Sequence, residues 1–230
     1  MDIAANIRTI RKGIEEACAR VGRDPQQVRL VAVSKTKPAE LIEAAAAAGQ
    51  QLFGESYVQE FLAKREEVGT AVEWHFIGHL QSNKAKYLVD GVSMVHSVDR
   101  LSLARELNRQ WGRREQVLDV LLQVNLGEEQ SKSGTSERDA LELARRLADL
   151  PHLRLRGLMT LPPYCDDPED VRPYFRQLHE LAHQIERLAL PGVEMRELSM
   201  GMSHDYQVAV EEGATLVRVG SSIFGARDYS

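Results

Sequence analysis

The sequence predicts an α/β fold, namely a single (β/α)8 TIM barrel with an additional N-terminal helix. Two observations carry this prediction. Short apolar runs alternate with longer segments of helical period, and the alternation repeats eight times between Val28 and Gly225. Such alternation is typical of a parallel sheet, and eight units are the number that closes a barrel. We therefore expect one domain over residues 1–230, with the helix and lead-in in residues 1–27 and the barrel in residues 28–230.

The N-terminal element is expected to be a helix because apolar residues recur at helical spacing before the first apolar run. They are Ile3, Ile7, Ile10, Ile14 and Ala17. The eight strands are expected where branched and apolar residues form short runs, as in buried parallel strands. In chain order they are residues 28–33, 51–55, 73–79, 93–98, 118–125, 153–159, 194–200 and 216–224.

Helices are expected between these strands. They cover residues 41–48, 58–68, 82–88, 100–114 and 136–150, followed by a long helix ending near residue 190 and a short one ending at 212. Pro38 suits a first helical turn, and Gly49 suits the left-handed residue that follows a helix. Ser82, Asp99 and Ser136 are expected as N-caps because their side-chain oxygens can accept hydrogen bonds from free backbone N–H groups.

An open doubly wound sheet is the alternative fold. Its usual Gly-x-Gly-x-x-Gly turn after the first strand is missing, and Ser34-Lys35-Thr36-Lys37 stands there instead. The barrel is therefore the favoured fold.

Composition and charge exclude several classes of protein. The net charge of −5 argues against general nucleic-acid binding, and 43% hydrophobic residues are too many for a disordered chain. The two cysteines form no Cys-x-x-Cys pair, and the longest apolar run, residues 44–48, is too short to span a membrane. The N-terminus lacks the pattern of a signal peptide. We expect a cytoplasmic protein with no nucleic-acid or membrane partner.

Polar and small residues are expected to meet at the C-terminal ends of the strands, where TIM barrels carry their sites. They include Ser34, Lys35, Glu55, Ser56, His79, Ser97, Asn125, Thr160 and residues 199–203 and 218–222. The strand interiors stay largely apolar, so this distribution predicts a pocket at that end. His75 and His96, inside strands, are interpreted as hydrogen-bonded structural residues.

Lys35 is the most informative single residue because it directly follows an apolar strand. Desolvation disfavours an ammonium, and an amine made neutral in this way can form a Schiff base with a carbonyl. The structural alternative is a strand-end lysine paired with a carboxylate such as Glu55.

The ends of the last two strands offer groups that bind phosphate. Residues 199–203 and 220–222 supply small side chains, hydroxyls and backbone N–H groups, and barrels often bind phosphate after strands seven and eight. Arg218 faces the same way as Gly220 on an extended strand; a salt-bridged arginine beside ordinary turns is the structural alternative. An amine, a phosphate cradle and an arginine are together the parts needed to hold pyridoxal phosphate.

The segment 179–183 matches the zinc-protease pattern His-Glu-x-x-His. The glycine and third histidine of the longer pattern are absent, and both histidines lie at the edge of a helical apolar stripe. An outer barrel helix with a polar flank is the favoured interpretation, and no metal is expected.

The sequence strongly resembles the pyridoxal phosphate homeostasis protein family, whose members are single-domain barrels similar to the N-terminal domain of alanine racemase. The stretches that carry the resemblance are VAVSKTKP (31–38), FGESYVQE (53–60), HFIGHLQSNK (75–84), LSMGMS (198–203) and VRVGSSIFGAR (217–227). Together they are highly specific, and the resemblance covers essentially the whole chain.

The resemblance implies that Lys35 carries the covalent aldimine with pyridoxal 5'-phosphate and that Arg218 faces the pyridine nitrogen. It implies that the phosphate is held by Ser199, Met200, Gly220 and Ser221. The chain departs from the family pattern at three positions, which carry Ser56, His79 and Ser221 in place of Asn, Pro and Thr.

The resemblance also implies a protein that binds and distributes the cofactor, with no established reaction. We expect apoenzymes that depend on the cofactor as partners, and a monomeric protein. An arginine opposite the pyridine nitrogen keeps that nitrogen unprotonated and weakens the ring as an electron sink. The second catalytic group of alanine racemase comes from a partner chain's extra domain, which we do not expect in a chain ending at Ser230. The alternatives are an amino-acid racemase-like enzyme and a cofactor-free Schiff-base aldolase.

Overall fold

The computed structural model describes residues 1–127 and 133–226, and its centre is a ring of eight parallel strands. The strands are β1 (Arg29–Val33), β2 (Leu52–Glu55), β3 (Glu73–Phe76), β4 (Met94–Val98), β5 (Leu118–Asn125), β6 (Leu153–Thr160), β7 (Val193–Ser199) and β8 (Leu216–Val219). Each strand pairs in parallel with the next, and β8 pairs with β1, which closes the ring. The predicted barrel is confirmed.

Helices surround the ring. They are α1 (Ile3–Val21), α2 (Ala39–Ala47), α3 (Val58–Glu67), α4 (Leu101–Gly112), α5 (Glu137–Ala148), α6 (Arg172–Glu186), α7 (Tyr206–Glu211) and α8 (Ser221–Phe224). Within the described residues, 3-10 turns lie between α1 and β1, between β3 and β4 and before α6, at Pro25–Gln27, Ser82–Tyr87 and Pro168–Val171. In the part of the chain that the structure describes, no helix has the length and apolar character needed to traverse a bilayer.

The core has two parts. A large cluster lies between the strands and the helices, and it includes the predicted stripe of α1. A separate buried cluster takes one residue from each of six strands, as expected for side chains that fill the interior of a barrel. Its members are Val31, Leu52, Met94, Leu121, Met159 and Leu216. Two-residue periodicity then places Arg218 in the interior, two residues after Leu216.

The predicted third and eighth strands end earlier than expected. The third ends at Phe76, before Gly78, because the chain there crosses the end of β2: a Cβ on Gly78 would lie 2.2 Å from the backbone oxygen of Ser56. The eighth ends at Val219, since the backbone N–H groups of Ile223 and Phe224 both bond to Gly220 O and turn the chain into α8.

Two predicted N-caps are wrong, and one short strand was not predicted. Ser82 is the first residue of its 3-10 turn rather than its cap, and the carboxylate of Asp99 pairs with Arg100 instead of capping α4. Ser136 caps α5 as predicted, through a hydrogen bond from Asp139 N. A two-residue strand, Thr135–Ser136, pairs with the end of β5. Arg227, the last residue of the stretch 217–227, lies outside the described residues.

Candidate functional site

A cavity of about 260 Å³ opens at the C-terminal ends of the barrel strands, where the sequence predicts a pocket. Lys35 lines it from the turn after β1, and Ser203 lines it from the loop after β7. Arg218, Gly220 and Ser221 line it from the end of β8. The structure therefore brings four of the six predicted site residues to one cavity.

The other two predicted residues lie beneath that cavity. Ser199 and Met200 are fully buried at the end of β7, and the backbone N–H of Met200 is bonded to Leu216 O. Their assignment to a phosphate stays a prediction.

The turn that presents Lys35 has an unusual backbone. Thr36 has φ of 63°, in the left-handed region that non-glycine residues rarely adopt. Two hydrogen bonds hold this conformation, from Lys37 N to Ser34 O at 3.0 Å and from Thr36 N to Glu60 Oε2 at 2.7 Å. The position of Lys35 is thus fixed by its neighbours on both sides.

A buried ion-pair network anchors the same turn from below. Lys64 Nζ donates to Ser34 O and Glu55 Oε1, both at 2.8 Å, and to Glu60 Oε2 at 2.9 Å. Glu55 Oε1 also accepts the Ser34 hydroxyl at 2.6 Å. Burial raises the pKa of Glu55, and the positive charge of Lys64 opposes that rise. Glu55, considered from the sequence as a partner of Lys35, is the partner of Lys64.

Arg218 is a buried cation in the floor of the cavity. Its Nη1 donates to Ser199 Oγ at 2.6 Å and its Nη2 donates to Thr160 O at 2.8 Å. Among the described residues, no carboxylate oxygen lies within ion-pair distance of it. Burial lowers the pKa of Arg218 to about 10, against the effect of Asp205, so the guanidinium stays charged at neutral pH. Its hydrogen bonds to neutral oxygens leave its charge available to an electron-rich atom in the cavity.

Two histidines extend this arrangement across the barrel interior. Ser199 Oγ lies 2.9 Å from His96 Nδ1, and His96 Nε2 lies 2.8 Å from His75 Nδ1. His75 Nε2 lies 2.9 Å from Glu73 Oε1, at the opposite end of the barrel. Both histidines are hydrogen-bonded, as the sequence predicts, but no sequence pattern indicates that they connect to Arg218.

Backbone N–H groups converge in the same cavity, on the segment after β8, the strand that pairs with β1. The amides of Gly220 and Ser222 both point at Ser203 Oγ, at 3.3 and 3.5 Å. The loop after β7 reaches this position through Gly201, whose φ is 87° and where a Cβ would lie 2.5 Å from the Cβ of Ala209. Two amides aimed at one oxygen form a local site for an anionic oxygen.

The remaining sequence candidates lie at the edge or outside the cavity. Ser56 lines it, whereas His79 is half-exposed, lies 3.1 Å from Ser133 Oγ and lines a neighbouring hollow of about 230 Å³. His179 and His183 stack on each other with ring centroids 4.7 Å apart on α6. Within residues 1–127 and 133–226, no group of three side chains is arranged to hold a metal ion.

Comparison with known proteins gives consistent results. The family described as alanine racemase, N-terminal domain, matches residues 2–228. The pyridoxal phosphate homeostasis protein of Aquifex aeolicus is 45% identical over 233 residues, covering all of both chains. That of Escherichia coli K12 is 46% identical over 238 residues, covering all of this chain and 98% of the relative.

Two solved structures extend the comparison. PipY of Synechococcus elongatus, with PLP bound, has a TM-score of 0.85 at 36% identity and covers 97% of this chain and 100% of its own. Alanine racemase of Corynebacterium glutamicum has a TM-score of 0.73 at 19% identity, covering 98% of this chain and 60% of its own. The second similarity concerns the fold alone.

Proposed function

Because this chain belongs to the pyridoxal phosphate homeostasis protein family, we propose that it binds pyridoxal 5'-phosphate in the cavity at the top of its barrel. Lys35 holds the cofactor covalently, and the protein supplies the cofactor inside the cell without a robust reaction of its own. One observation carries the proposal: a single cavity is lined by Lys35, the buried Arg218 and Ser203, on whose hydroxyl oxygen two backbone amides converge.

The residues present fit this cofactor. Its aldehyde needs an amine, its phosphate needs N–H donors, and its ring nitrogen needs a neighbour of defined charge. Lys35 provides the first, the amides of Gly220 and Ser222 the second and Arg218 the third. When bound, the cofactor supplies an electrophilic carbon and an electron-withdrawing ring. The cavity of about 260 Å³ is near the lower end of the usual range for ligand pockets.

The phosphate is proposed to bind where Ser203 Oγ lies in this structure. That oxygen accepts hydrogen bonds from Gly220 N and Ser222 N, and a phosphate oxygen is a stronger acceptor for the same two donors. Ser221 adds a hydroxyl at the rim. Ser199 and Met200, which the sequence predicts as phosphate contacts, lie at the end of β7, where Ser199 Oγ is bonded to His96 and Arg218 and Met200 N to Leu216 O.

The protonated guanidinium of Arg218 favours a function as a cofactor carrier over a function as a catalyst. Its guanidinium stays protonated, so it offers only N–H donors to a ring nitrogen facing it, and that nitrogen must accept. An unprotonated ring is a weak electron sink, which disfavours carbanion chemistry. The relatives reported above are named for homeostasis of the cofactor and not for a reaction. We also propose that the protein delivers the cofactor to apoenzymes, that it is located in the cytoplasm and that it is a monomer.

The test compares two lysines that line the same cavity. Wild-type protein, Lys35→Ala and Lys37→Ala are incubated with pyridoxal phosphate, reduced with borohydride and mapped by mass spectrometry. Lys37 Nζ is bonded to Ala226 O, so we expect Lys37→Ala to keep the adduct on Lys35. Lys35→Ala is expected to lose the adduct and the yellow absorbance while remaining folded, because Lys35 lies in a turn at the rim.

An adduct on another lysine of the wild-type protein would contradict the proposal. Racemisation of alanine at ordinary enzyme rates by the loaded protein would replace the carrier function with the racemase-like one. A colourless protein that cleaves a sugar phosphate would favour the aldolase.

A further inference from the structure

We propose that His96, supported by His75, is a positioning residue for the cofactor site. The two imidazoles fix the hydroxyl of Ser199 so that its oxygen accepts from Arg218, and in this way they hold the guanidinium where it would face the ring nitrogen of the ligand. The inference rests on the proposed function, because the position of Arg218 matters only for a ligand in that cavity.

The four residues form one continuous line across the barrel interior. His75 lies on β3, His96 on β4, Ser199 on β7 and Arg218 on β8, so strands on opposite sides of the ring are joined by side chains alone. The successive distances are 2.8, 2.9 and 2.6 Å, and no residue of the line is more than 4% exposed. Water therefore does not compete for these hydrogen bonds, and each lost bond leaves a buried group unpaired.

The direction of every hydrogen bond in the line follows from its two ends. At one end, the bond from His75 is the largest cause of a pKa of Glu73 lowered to about 2, so the carboxylate is ionised and can only accept. At the other end, the Arg218 guanidinium can only donate. His75 must then carry its proton on Nε2 and accept at Nδ1.

The same logic continues through His96. Because His75 Nδ1 accepts, His96 must donate from Nε2, and its Nδ1 must accept. Among the described residues, the donor at Nδ1 is the Ser199 hydroxyl, whose oxygen is then left to accept from Arg218 Nη1. One arrangement of protons satisfies all the bonds at once, and a buried network that is fully satisfied holds one geometry.

The two imidazoles are kept neutral by their surroundings. Burial lowers the pKa of both His75 and His96, and the charge of Arg218 lowers that of His96 further. The charged groups that face the line are Arg29, Glu73, Glu197, Asp205 and Arg218. A proton added at His96 Nδ1 would displace the Ser199 hydroxyl from its acceptor and place a second buried cation beside Arg218.

The four hydrogen-bonded residues position the guanidinium of Arg218 and do not transfer protons. The line ends at a guanidinium that keeps its protons at neutral pH, so no group there can pass a proton to the cavity. Arg218 Nη2 is held independently by Thr160 O, so two oxygens from different strands set the plane of the guanidinium. His96 positions one of these two oxygens, Ser199 Oγ.

The experiment uses two substitutions of His96 and a control on the same strand. His96→Leu removes both hydrogen bonds, whereas His96→Gln keeps one donor and one acceptor that can reach His75 and Ser199. Met94→Leu repacks the neighbouring interior position of β4 with another apolar side chain and removes none of the hydrogen bonds between the four polar residues. The affinity for pyridoxal phosphate and the absorption maximum of the bound form are measured for each.

We expect His96→Leu to weaken binding about tenfold or more, equivalent to about 1.4 kcal/mol, and to shift the absorption maximum. His96→Gln and Met94→Leu are expected to stay within about threefold of wild type. In an Arg218→Lys background, His96→Leu is expected to add little, because its effect acts through Arg218. Unchanged affinity and absorption in His96→Leu, or an equal loss in the Arg218→Lys background, would overturn the proposal.

A second measurement needs no ligand and keeps the two proposals distinguishable. Nitrogen-15 NMR of the wild-type protein is expected to show both imidazoles neutral, each with the proton on Nε2. The opposite tautomer, or a charged ring at neutral pH, would refute the positioning role even if His96→Leu failed to fold. If the wild-type protein bound no cofactor at Lys35, the proposed function would fail, and the positioning role would fail with it whatever the tautomers.

Discussion

Lys64 is the residue on which the shape of the Lys35 turn depends most directly. It lies on α3 rather than on a strand end, and its ammonium is almost fully buried among the oxygens of Ser34, Glu55 and Glu60. A buried charge left without its partner is costly because it is separated from both water and its counter-ion. The stability of the turn and the charge state of Glu55 are therefore coupled.

We predict that Lys64→Met lowers the free energy of unfolding by about 3–5 kcal/mol at pH 8, the usual cost of breaking a buried pair. Burial already raises the pKa of Glu55 above its ordinary 4.5, and loss of Lys64 raises it further. The folded variant then binds a proton more readily than the unfolded chain. The deficit is therefore greatest above the raised pKa and shrinks as the pH falls toward 4.5.

Urea unfolding at pH 8 and pH 5 measures this prediction. Lys12→Met is the matched control, because Lys12 pairs with Glu16 at 3.6 Å on the exposed face of α1, where we expect a change below about 1 kcal/mol. The double variant Lys64→Met/Glu55→Gln is expected to recover part of the loss. A deficit that does not shrink at pH 5 would show that Glu55 is not its source.

For individual residues, the sequence identifies those at strand ends and misses those whose contacts join distant parts of the chain. Lys35 and Arg218 are found because strand periodicity places them. Lys64 carries no motif, and His96 meets Ser199 across 103 positions of sequence. Pairings of that kind depend on closure of the ring, which local pattern does not encode.

Helix starts show why some elements are predicted better than others. Ser136 caps α5 because it is the second residue of the two-residue strand, whose pairing holds its backbone extended, so that its hydroxyl reaches Asp139 N. Ser82 and Asp99 are equally suitable residue types, yet the chain around them places the first turn elsewhere. Composition names the candidate caps, and tertiary placement selects among them.

We predict that Ser136→Ala destabilises the protein by about 1 kcal/mol, the usual value of a serine N-cap. The matched control is Ser82→Ala, which removes a hydroxyl that caps no helix, and it is expected to change stability by less than about 0.5 kcal/mol. Thermal and urea unfolding of both variants provide the measurement. Equal effects of the two substitutions would contradict the assignment of the cap.

In the molecule as a whole, the outer ring of helices is completed by the N-terminal helix α1 and not by a helix after the last strand. Within the described residues, the last barrel strand is followed by α8, which has four residues and is too short to cover β8 and β1. The additional helix α1 packs against α2, α7 and α8 and fills this position. Asn6 Nδ2 also bonds to Ile223 O at 2.9 Å, directly behind the segment that carries Ser221. The N-terminal helix is thus part of the barrel wall and supports the proposed phosphate site.

This placement predicts that a core residue of α1 stabilises the entire barrel. Ile7 is 1% exposed, so Ile7→Ala should lower the free energy of unfolding by about 2–5 kcal/mol, whereas Arg8→Ala on the exposed face should change it by less than about 0.5 kcal/mol. Trp74 on β3 and Trp111 on α4 report on the barrel by fluorescence, independently of α1. If α1 is part of the wall, Ile7→Ala shifts their unfolding midpoint together with the loss of helical circular dichroism, as one cooperative transition. A tryptophan midpoint that stays at the wild-type value while helical signal is lost early would mean that α1 unfolds separately and that the ring closes without it.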